Sequence, residues 1–390
     1  MCYLKRLWLL GCFVLTVCTG CGGGGDSGTG GGGSTTTCQA LPAANSPSGS
    51  LGSIVDDVVA REMKTQGLPG ITVAVTKNGS VLYTQGYGYS DLATCQPMQA
   101  NAELQIGSVT KQLTAAAILQ LQQAGLLDID KTVLTYLPKY VFDSRITVRM
   151  LLNQTSGLQD YLGFPSLQQY IGGVQQSVVL DAIVQAPLLF SPGSAFNYSN
   201  SNYFILGSII EAVTSQSYPD YLSAHIFQPA GLASTFYMRP SASASPYEPG
   251  AGGPVPGRIP DSSAFFAAGA LWSNVQDLAL WDVALRSGKV IPESLFTLMV
   301  TPPPVPAFQE GVPSPYGMGW FKGGTPAGHP FVWHNGQTVS YTAFNGLFLD
   351  DGFSITVLTN YFVRESAPLL GFAQTLIQAI CNNSATADRC

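Results

Sequence analysis

A serine and a lysine one helical turn apart, Ser108 and Lys111, are the residues of this sequence whose spacing best suits covalent chemistry. Residues 112–127 have the apolar spacing of a helix, which places Ser108 at its start and Lys111 on the same face. A serine hydroxyl is a weak nucleophile until a base takes its proton, and burial can lower the pKa of a lysine until it serves as that base. The pair therefore predicts a nucleophilic serine, while a helix-capping serine beside a surface lysine is the alternative.

A second motif, Tyr198-Ser199-Asn200, follows a Ser-Pro-Gly turn signal at residues 191–193 and is expected on a loop. A phenol near a lysine ammonium can be held partly ionised and can move protons. An asparagine amide both donates and accepts hydrogen bonds, which suits a substrate amide. Tyr198 is therefore a candidate catalytic residue and Asn200 a candidate substrate-binding residue. Taken alone, the motif also fits a polar loop.

A third motif, His334-Asn335-Gly336, stands at the end of a predicted late strand. Glycine at this place would let a substrate approach the strand edge. The backbone N–H of Gln337, together with that of Ser108, would then form an oxyanion hole for an acyl carbonyl. A hairpin turn is the alternative for this motif by itself.

The periodicity of the chain predicts strands near both ends and helices between them. An early hairpin, residues 71–77 and 80–85, turns at Asn78-Gly79. The other predicted strands are residues 316–322, 331–333, 342–349 and 353–358, and the clearest predicted helices are residues 51–65, 274–285 and 366–380.

We therefore expect an α+β fold, in which an antiparallel sheet built from both termini is flanked by helices. A mostly helical subdomain, at about residues 132–235, would be inserted between the two sets of strands. A cleft between sheet and subdomain is a natural ligand site. Residues 240–260, which are rich in Pro, Gly, Ser and Ala, are expected to be a long loop that shapes the pockets for the substrate.

Composition and charge restrict the classes of partner. The chain has 390 residues, 10% of them charged, with a net charge of −6, and its only basic run is Lys5-Arg6. Nucleic acid is therefore not an expected partner, because its binding needs clustered basic residues. No H-E-x-x-H motif occurs, and no two of Cys38, Cys95, Cys381 and Cys390 have C-x-x-C spacing, so a metal site is not expected.

The N-terminal segment predicts export. Residues 1–20 have a basic start, a short apolar run and small residues before Cys21, which is typical of a signal peptide. Cys21 at the cleavage site resembles the lipid-modified cysteine of a bacterial lipoprotein, while an ordinary secreted protein is the alternative. Residues 21–50 are rich in Gly, Ser and Thr and are expected to form a tether. We therefore expect a domain at residues 51–390 that is held on a membrane by a lipid anchor, in the periplasm or at the cell surface.

Four further cysteines remain in the mature chain, namely Cys38, Cys95, Cys381 and Cys390. In an oxidising compartment an even number suggests disulfides, and four cysteines allow three pairings. We expect Cys38 to pair with Cys95 and Cys381 with Cys390. The rival pairing joins the two termini.

The order Ser-x-x-Lys, Tyr-x-Asn and then a basic residue-x-Gly resembles the signature of the serine β-lactamase and penicillin-binding-protein superfamily. The chain is most similar to the class C-like branch, which includes class C β-lactamases, D-Ala-D-Ala peptidases, D-aminopeptidases and related esterases. The resemblance covers residues 51–379. Four lesser stretches share it: Asn153-Gln154-Thr155-Ser156-Gly157-Leu158, Phe190-Ser191-Pro192-Gly193, Gly269-Ala270-Leu271-Trp272-Ser273 and Tyr316-Gly317-Met318-Gly319-Trp320.

The resemblance implies a role for each motif. Ser108 would be acylated, Lys111 would accept its proton, and Tyr198 would move protons to the leaving group and from the deacylating water. Asn200 would hold the acyl amide, and neither a metal nor a cofactor is implied. His334, Asn335, Gly336 and Gln337 would form the wall on the strand side.

One departure from the family bears on the substrate. The lactamases of this branch have lysine where this chain has His334, which favours a peptidase on D-amino-acid or cell-wall-like substrates. With an ordinary pKa of about 6.5, His334 is expected to gain its proton near neutral pH and to help hold a substrate carboxylate. A class C-like β-lactamase or a carboxylesterase is the second hypothesis, and a catalytically silent penicillin-binding or sensor lipoprotein is the third. In each case we expect a monomer that binds a small molecule or a peptide.

Overall fold

Strands from both ends of the chain form one seven-stranded antiparallel sheet in this computed structural model. The structure describes residues 38, 50–167, 173–241, 243–309, 312–313, 315–324, 330–363 and 367–382. Its strands are β1 (Gly70–Lys77), β2 (Ser80–Asp91), β3 (Gln96–Pro97), β4 (Leu104–Gln105), β5 (Tyr247–Gly250), β6 (Gly253–Pro256), β7 (Trp272–Ser273), β8 (Phe308–Gln309), β9 (Val312–Pro313), β10 (Phe321–Gly324), β11 (Pro330–Gln337), β12 (Thr342–Phe348) and β13 (Phe353–Thr359).

The order of the large sheet, β10-β11-β12-β13-β1-β2-β3, confirms that both termini contribute to it. The N-terminal strand β1 pairs with β13, with Val73 opposite Val357. The β1–β2 turn uses Asn78 and Gly79, whose positive φ angles of 48° and 80° suit a two-residue hairpin. The central strand β1 is rich in β-branched residues and almost fully buried, because helices cover both faces of the sheet.

The helices lie on both sides of this sheet and in the inserted subdomain. They are α1 (Leu51–Gln66), α2 (Thr110–Gln123), α3 (Val148–Leu152), α4 (Gln176–Gln185), α5 (Asn200–Thr214), α6 (Tyr218–Leu222), α7 (Gln228–Ala230), α8 (Ser262–Phe265), α9 (Val275–Arg286), α10 (Glu293–Met299) and α11 (Ala367–Asn382).

Alternating side chains of β1 divide the apolar core into two layers. Val73 and Val75 share one cluster with α1 and α11, whereas Ala74 belongs to the cluster that contains α2 and α9. This alternation follows from the two-residue repeat of a strand. The cluster that contains α2 and α9 continues into the helical subdomain through α5, which packs against α2. The predicted α+β layout, with a helical insertion, is thereby confirmed.

Three local predictions differ from the structure in the type or the extent of the element. Only the last two residues of the predicted strand 316–322 lie in a strand, β10 (Phe321–Gly324), and Tyr316 makes an isolated bridge to Phe321. The predicted loop 240–260 contains the hairpin β5–β6, in which Pro and Gly are tolerated because it is a short two-stranded ribbon. The predicted strand 331–333 extends from Pro330 to Gln337, since β12 pairs with residues 331–337 and Pro330 pairs with Gly324 of β10.

A disulfide joins Cys38 to Cys95, with Cα atoms 5.5 Å apart, and so gives one of the two expected pairings. Cys381 is also disulfide-bonded, while its expected partner Cys390 lies outside the described residues. Cys21, with the predicted signal peptide and most of the predicted tether, lies outside them too. Among the described residues there is no helix whose length and apolar character suffice to span a membrane.

Candidate active site

Ser108 and Lys111 lie side by side where a 3-10 turn, Gly107–Val109, leads into α2. The Lys111 Nζ donates a hydrogen bond to the Ser108 Oγ over 2.9 Å. The turn needs Gly107, which has a φ of +50°. Ser108 is partly accessible, whereas Lys111 is fully buried. The contact therefore joins an accessible hydroxyl to an amine that is shielded from solvent.

Lys111 has an acceptor for each of its three ammonium protons. Besides Ser108, its Nζ donates to Asn200 Oδ1 over 2.8 Å and to the carbonyl oxygen of Ala268 over 2.7 Å. Burial nonetheless lowers the pKa of Lys111 to about 7, and the charge of Asp160 opposes that fall. Near neutral pH the amine is thus partly unprotonated, and an unprotonated amine can take the proton of a serine.

Tyr198 approaches the same amine from the loop before α5. Its ring centre is 4.8 Å from the Lys111 Nζ. Its hydroxyl oxygen is buried and lies near enough to the Ser108 side chain to interact with it. Burial raises the pKa of Tyr198 well above its usual value, Tyr316 adds to the rise, and Ser108 opposes it. The expectation of a partly ionised phenol was therefore wrong, because desolvation penalises the phenolate.

The loop that carries Tyr198 is held by Gln154, which the motif analysis did not identify as a site residue. The Gln154 carbonyl oxygen accepts from the Asn197 N–H, and its Oε1 accepts from the Ser199 N–H, both over 3.0 Å. The residues on either side of Tyr198 are thus bound to one glutamine. Gln154 is buried and has a φ of 63°, which is unusual for a residue with a side chain. Its place in a family-like stretch was the available signal.

Asn200, the first residue of α5, connects Lys111 to Asp160, a second residue that the motif analysis missed. The Asn200 Nδ2 donates to Asp160 Oδ2 over 2.8 Å, while its Oδ1 faces the lysine. Burial raises the pKa of Asp160, and the charge of Lys111 opposes the rise. A single aspartate after a glycine-containing turn gave no motif by which the sequence could have revealed it.

His334 lies within β11, where it is 1% exposed, and not at the end of a strand. Its Nδ1 is 2.6 Å from the carbonyl oxygen of Asn335 and its Nε2 is 3.1 Å from the Tyr316 hydroxyl. A carbonyl only accepts, so Nδ1 carries the proton and Nε2 accepts from the tyrosine. Burial and the charge of Lys111 lower the pKa of His334 to about 3. The expectation of a histidine that becomes cationic near neutral pH was therefore wrong.

Gly336 and Gln337 bring β11 against the turn that holds Ser108. A Cβ on Gly336 would lie 1.8 Å from the Ile106 carbonyl oxygen and 3.2 Å from the backbone nitrogen of Ser108. The Gln337 backbone nitrogen would lie 2.7 Å from a Cβ on Gly107, so the two backbones nearly touch. The Gln337 side chain points elsewhere, since its Nε2 donates to the carbonyl oxygen of Val363.

The pairing of β11 shows where the Gln337 N–H points. Thr338 donates its N–H to the Tyr341 carbonyl oxygen, and Gln337 is paired with Thr342 one position further along. Hydrogen-bonded and non-hydrogen-bonded pairs alternate in an antiparallel ladder. The Gln337 N–H therefore points away from β12 and toward the start of the Ser108 turn. Two backbone donors, from Ser108 and Gln337, can thus face one oxygen atom.

Sequence comparisons identify the family of this chain. The beta-lactamase family model matches residues 55–379. Penicillin-binding protein 4* of Bacillus subtilis (strain 168) is 28% identical over 74% of this chain and 67% of its own length. D-aminopeptidase of Brucella anthropi is 32% identical over 64% of this chain and 48% of its own length. The chain spans between 48% and 67% of the length of the first curated relatives.

Solved structures show the same fold. The octameric penicillin-binding protein homologue from Pyrococcus abyssi is 25% identical, with a TM-score of 0.73 over 85% of this chain and 78% of that one. The D-stereospecific amidohydrolase from Streptomyces sp. is 25% identical, with a TM-score of 0.70 over 82% of this chain and 98% of that one. The chain therefore belongs to the beta-lactamase family, within the serine hydrolase superfamily that also contains the penicillin-binding proteins.

Proposed function

We propose that this protein hydrolyses amides or esters through an acyl-enzyme on Ser108, with amides and short peptides of D-amino acids as its substrates. The observation that carries the proposal is the 2.9 Å contact between the Ser108 hydroxyl and the fully buried amine of Lys111. A lysine with its pKa lowered to about 7 is a base at neutral pH, which an exposed lysine is not.

Each proposed step keeps its protons in balance. The Ser108 Oγ attacks the acyl carbon as its proton passes to Lys111, and the carbonyl oxygen becomes an oxyanion that faces the N–H groups of Ser108 and Gln337. The bond to the leaving group then breaks, and that group receives the proton from Lys111 through the neutral hydroxyl of Tyr198. Water cleaves the ester with the same groups acting in reverse. Asn200 lies beside Lys111, where its amide could also meet the acyl group.

The uncharged imidazole of His334 supports a substrate that has no carboxylate beside β11. A histidine whose pKa is lowered to about 3 carries no charge at neutral pH and offers no ion pair to an anion. This favours amides and short peptides with a free amino end over D-Ala-D-Ala acids and β-lactams, both of which end in a carboxylate. A D-aminopeptidase and a D-stereospecific amidohydrolase are among the relatives, which supports the same substrate class.

A carboxylesterase is the second candidate. The imidazole of His334 is surrounded by the rings of Tyr198, Tyr316 and Phe321, with centroids 5.9, 5.7 and 5.2 Å away. An aromatic, uncharged wall of this kind accepts an apolar acyl or alcohol group as readily as an amino acid.

We further propose that the domain acts as an exported monomer, tethered to a membrane through lipid on Cys21. The Cys38–Cys95 disulfide supports an oxidising compartment and fastens Cys38, which lies within the predicted tether, to the folded domain. Palmitate labelling of the full chain, compared between wild type and Cys21→Ser, tests the anchor. Size-exclusion chromatography with light scattering tests the monomer.

A serine-directed fluorophosphonate probe tests the nucleophile. We expect one labelled site, on Ser108, which Ser108→Ala removes while the melting temperature changes little. Ser144→Ala, at an exposed serine, is the matched control and should label as wild type does. Full labelling of Ser108→Ala would rule out the proposed acyl-enzyme, and no labelling of the wild type would favour a silent binding protein.

A substrate panel then separates the candidates. It comprises D-alanine p-nitroanilide, its L-isomer, p-nitrophenyl acetate, a D-Ala-D-Ala peptide and a chromogenic cephalosporin. The proposal expects the highest kcat/KM on the D-alanine anilide, with little turnover of the cephalosporin. Turnover of the ester alone would favour the carboxylesterase, and a preference for the D-Ala-D-Ala peptide would overturn the assignment of an uncharged strand wall.

A further inference from the structure

Asn200 can face Lys111 correctly in only one of its two amide orientations. Its Oδ1 accepts from the Lys111 Nζ, and its Nδ2 donates to Asp160 Oδ2, each over 2.8 Å. A carboxylate accepts hydrogen bonds and cannot donate them, so Asp160 binds the NH₂ end of the amide. If the amide turned over, its NH₂ group would face an ammonium and its oxygen a carboxylate. The contact with Asp160 therefore selects the orientation that Lys111 needs.

The carboxylate of Asp160 is itself held in place from two sides. Its Oδ1 accepts from the Leu162 N–H over 3.1 Å, at the start of the turn Tyr161–Gly163. Ser201, the residue after Asn200, binds both neighbours of Asp160: its hydroxyl donates to the Gln159 carbonyl oxygen over 2.5 Å and accepts from the Tyr161 N–H over 3.0 Å. The segment that carries Asp160 is thus fastened to the first turn of α5, so the carboxylate cannot easily leave the amide.

Several titratable groups lie around Lys111, Asn200 and Asp160. Lys111 on α2 is the partner of Asp160, and the charge of each opposes the effect of burial on the other. His334 on β11 is neutral, and burial raises the pKa values of Tyr161, Tyr198 and Tyr203 well above their usual range, so these tyrosines are neutral as well. Asp160 is the one carboxyl group among these, so it is the group that brings a negative charge to the lysine when it is ionised.

We propose that Asp160 is a positioning residue of the active site, which acts through Asn200 to orient the Lys111 amine toward Ser108 and to keep it partly protonated for proton return to the leaving group. The inference rests on the proposed acyl-enzyme mechanism and adds to it a residue outside the three motifs. Asp160 is not assigned contact with the substrate. Its effect should reach the reaction through the protonation of Lys111.

The test compares Asp160→Asn and Asp160→Ala with wild type, using p-nitrophenyl acetate because this ester carries no charge of its own. The negative charge of Asp160 favours the lysine ammonium, so both variants should shift the acidic limb of the kcat/KM profile downward by roughly one pH unit. Asparagine can still accept from Asn200, whereas alanine cannot. We therefore expect Asp160→Ala to lose about tenfold or more in kcat at the optimum, and Asp160→Asn to lose less. Asp181→Asn, at an exposed aspartate on α4, is the matched control.

The outcomes separate this inference from the mechanism on which it rests. If wild type is labelled on Ser108 but both Asp160 variants keep the wild-type pH profile, Asp160 does not act on Lys111 and the inference is wrong. A loss of kcat with an unmoved acidic limb would indicate a merely structural role and would also overturn it. If wild type is not labelled, the proposed acyl-enzyme fails first. Thermal melts show whether each variant folds. If Asp160→Ala does not fold, the pH profile of Asp160→Asn decides.

Discussion

Gly336 on β11 and Ile106, two residues before the nucleophile, lie so close that a Cβ on Gly336 would be 1.8 Å from the Ile106 carbonyl oxygen. Backbone on both sides forms this contact, so neither partner can move aside as a flexible side chain would. The contact fixes the separation of the two N–H groups, of Ser108 and Gln337, that are proposed to face the oxyanion. It also explains why the third motif needs glycine at this position.

We therefore expect Gly336→Ala to push β11 away from the Ser108 turn and to lower the rate of fluorophosphonate labelling by about tenfold or more. The melting temperature should fall as well, because the new methyl group cannot be accommodated without a backbone shift. Gly371→Ala is the control, since a Cβ at that helical position meets nothing within 4 Å. An active Gly336→Ala enzyme would contradict the proposed oxyanion hole.

The pH profile should report Lys111. Burial lowers its pKa to about 7, so kcat/KM for a neutral ester should rise as pH increases through about 7 and the amine loses its proton. Lys111→Ala should remove ester turnover, whereas Lys131→Ala, at an exposed lysine, should not. Stopped assays from about pH 5 to about pH 9 measure this. A flat profile across that range would mean that Lys111 is not the base.

We expect His334 to make the free energy of unfolding depend on pH. Its effect on the choice of substrate should depend on pH less. Its pKa is about 3 in the folded protein against an ordinary 6.5, so only the unfolded chain binds a proton between these values. The free energy of unfolding should therefore fall as pH decreases from 6.5 toward 3, by at most about 1.4 kcal/mol per unit. Urea titrations of wild type and His334→Gln should show a smaller fall in the variant. His225→Gln, at an exposed histidine, is the control, and equal slopes in His334→Gln and wild type would refute the assignment.

Gln154 should matter for the placement of Tyr198. Gln154→Leu removes the acceptor of the Ser199 N–H and of the Asn202 side-chain amide, and unpaired buried donors cost about 1–3 kcal/mol each. Gln154→Glu keeps an acceptor oxygen and should retain more activity. We expect kcat for the ester to fall in the order wild type, Gln154→Glu, Gln154→Leu, while Gln185→Leu, on the surface, remains at the wild-type value. Equal activity of the leucine and glutamate variants would show that the hydrogen bond does not position Tyr198.

Much of the site was predictable because its parts are local in sequence. Ser108 and Lys111 are one helical turn apart, so their contact follows from the helix that residues 112–127 predict. The turn at Asn78-Gly79 follows from the backbone preferences of its two residues. Even the joining of both termini in one sheet could be expected, since strands with unpaired edges must find partners.

The protonation states and the supporting residues depended on contacts between distant segments. The pKa of His334 is set by burial among rings from other elements and by the charge of Lys111, none of which its own neighbours in the chain reveal. Gln154 and Asp160 reach the site across 45 and 40 residues, through hydrogen bonds to Ser199 and Asn200. Sequence spacing determines which side chains share a helix turn or a strand face. Desolvation and the orientation of an amide depend on what surrounds a group in three dimensions, so only the tertiary structure decided them.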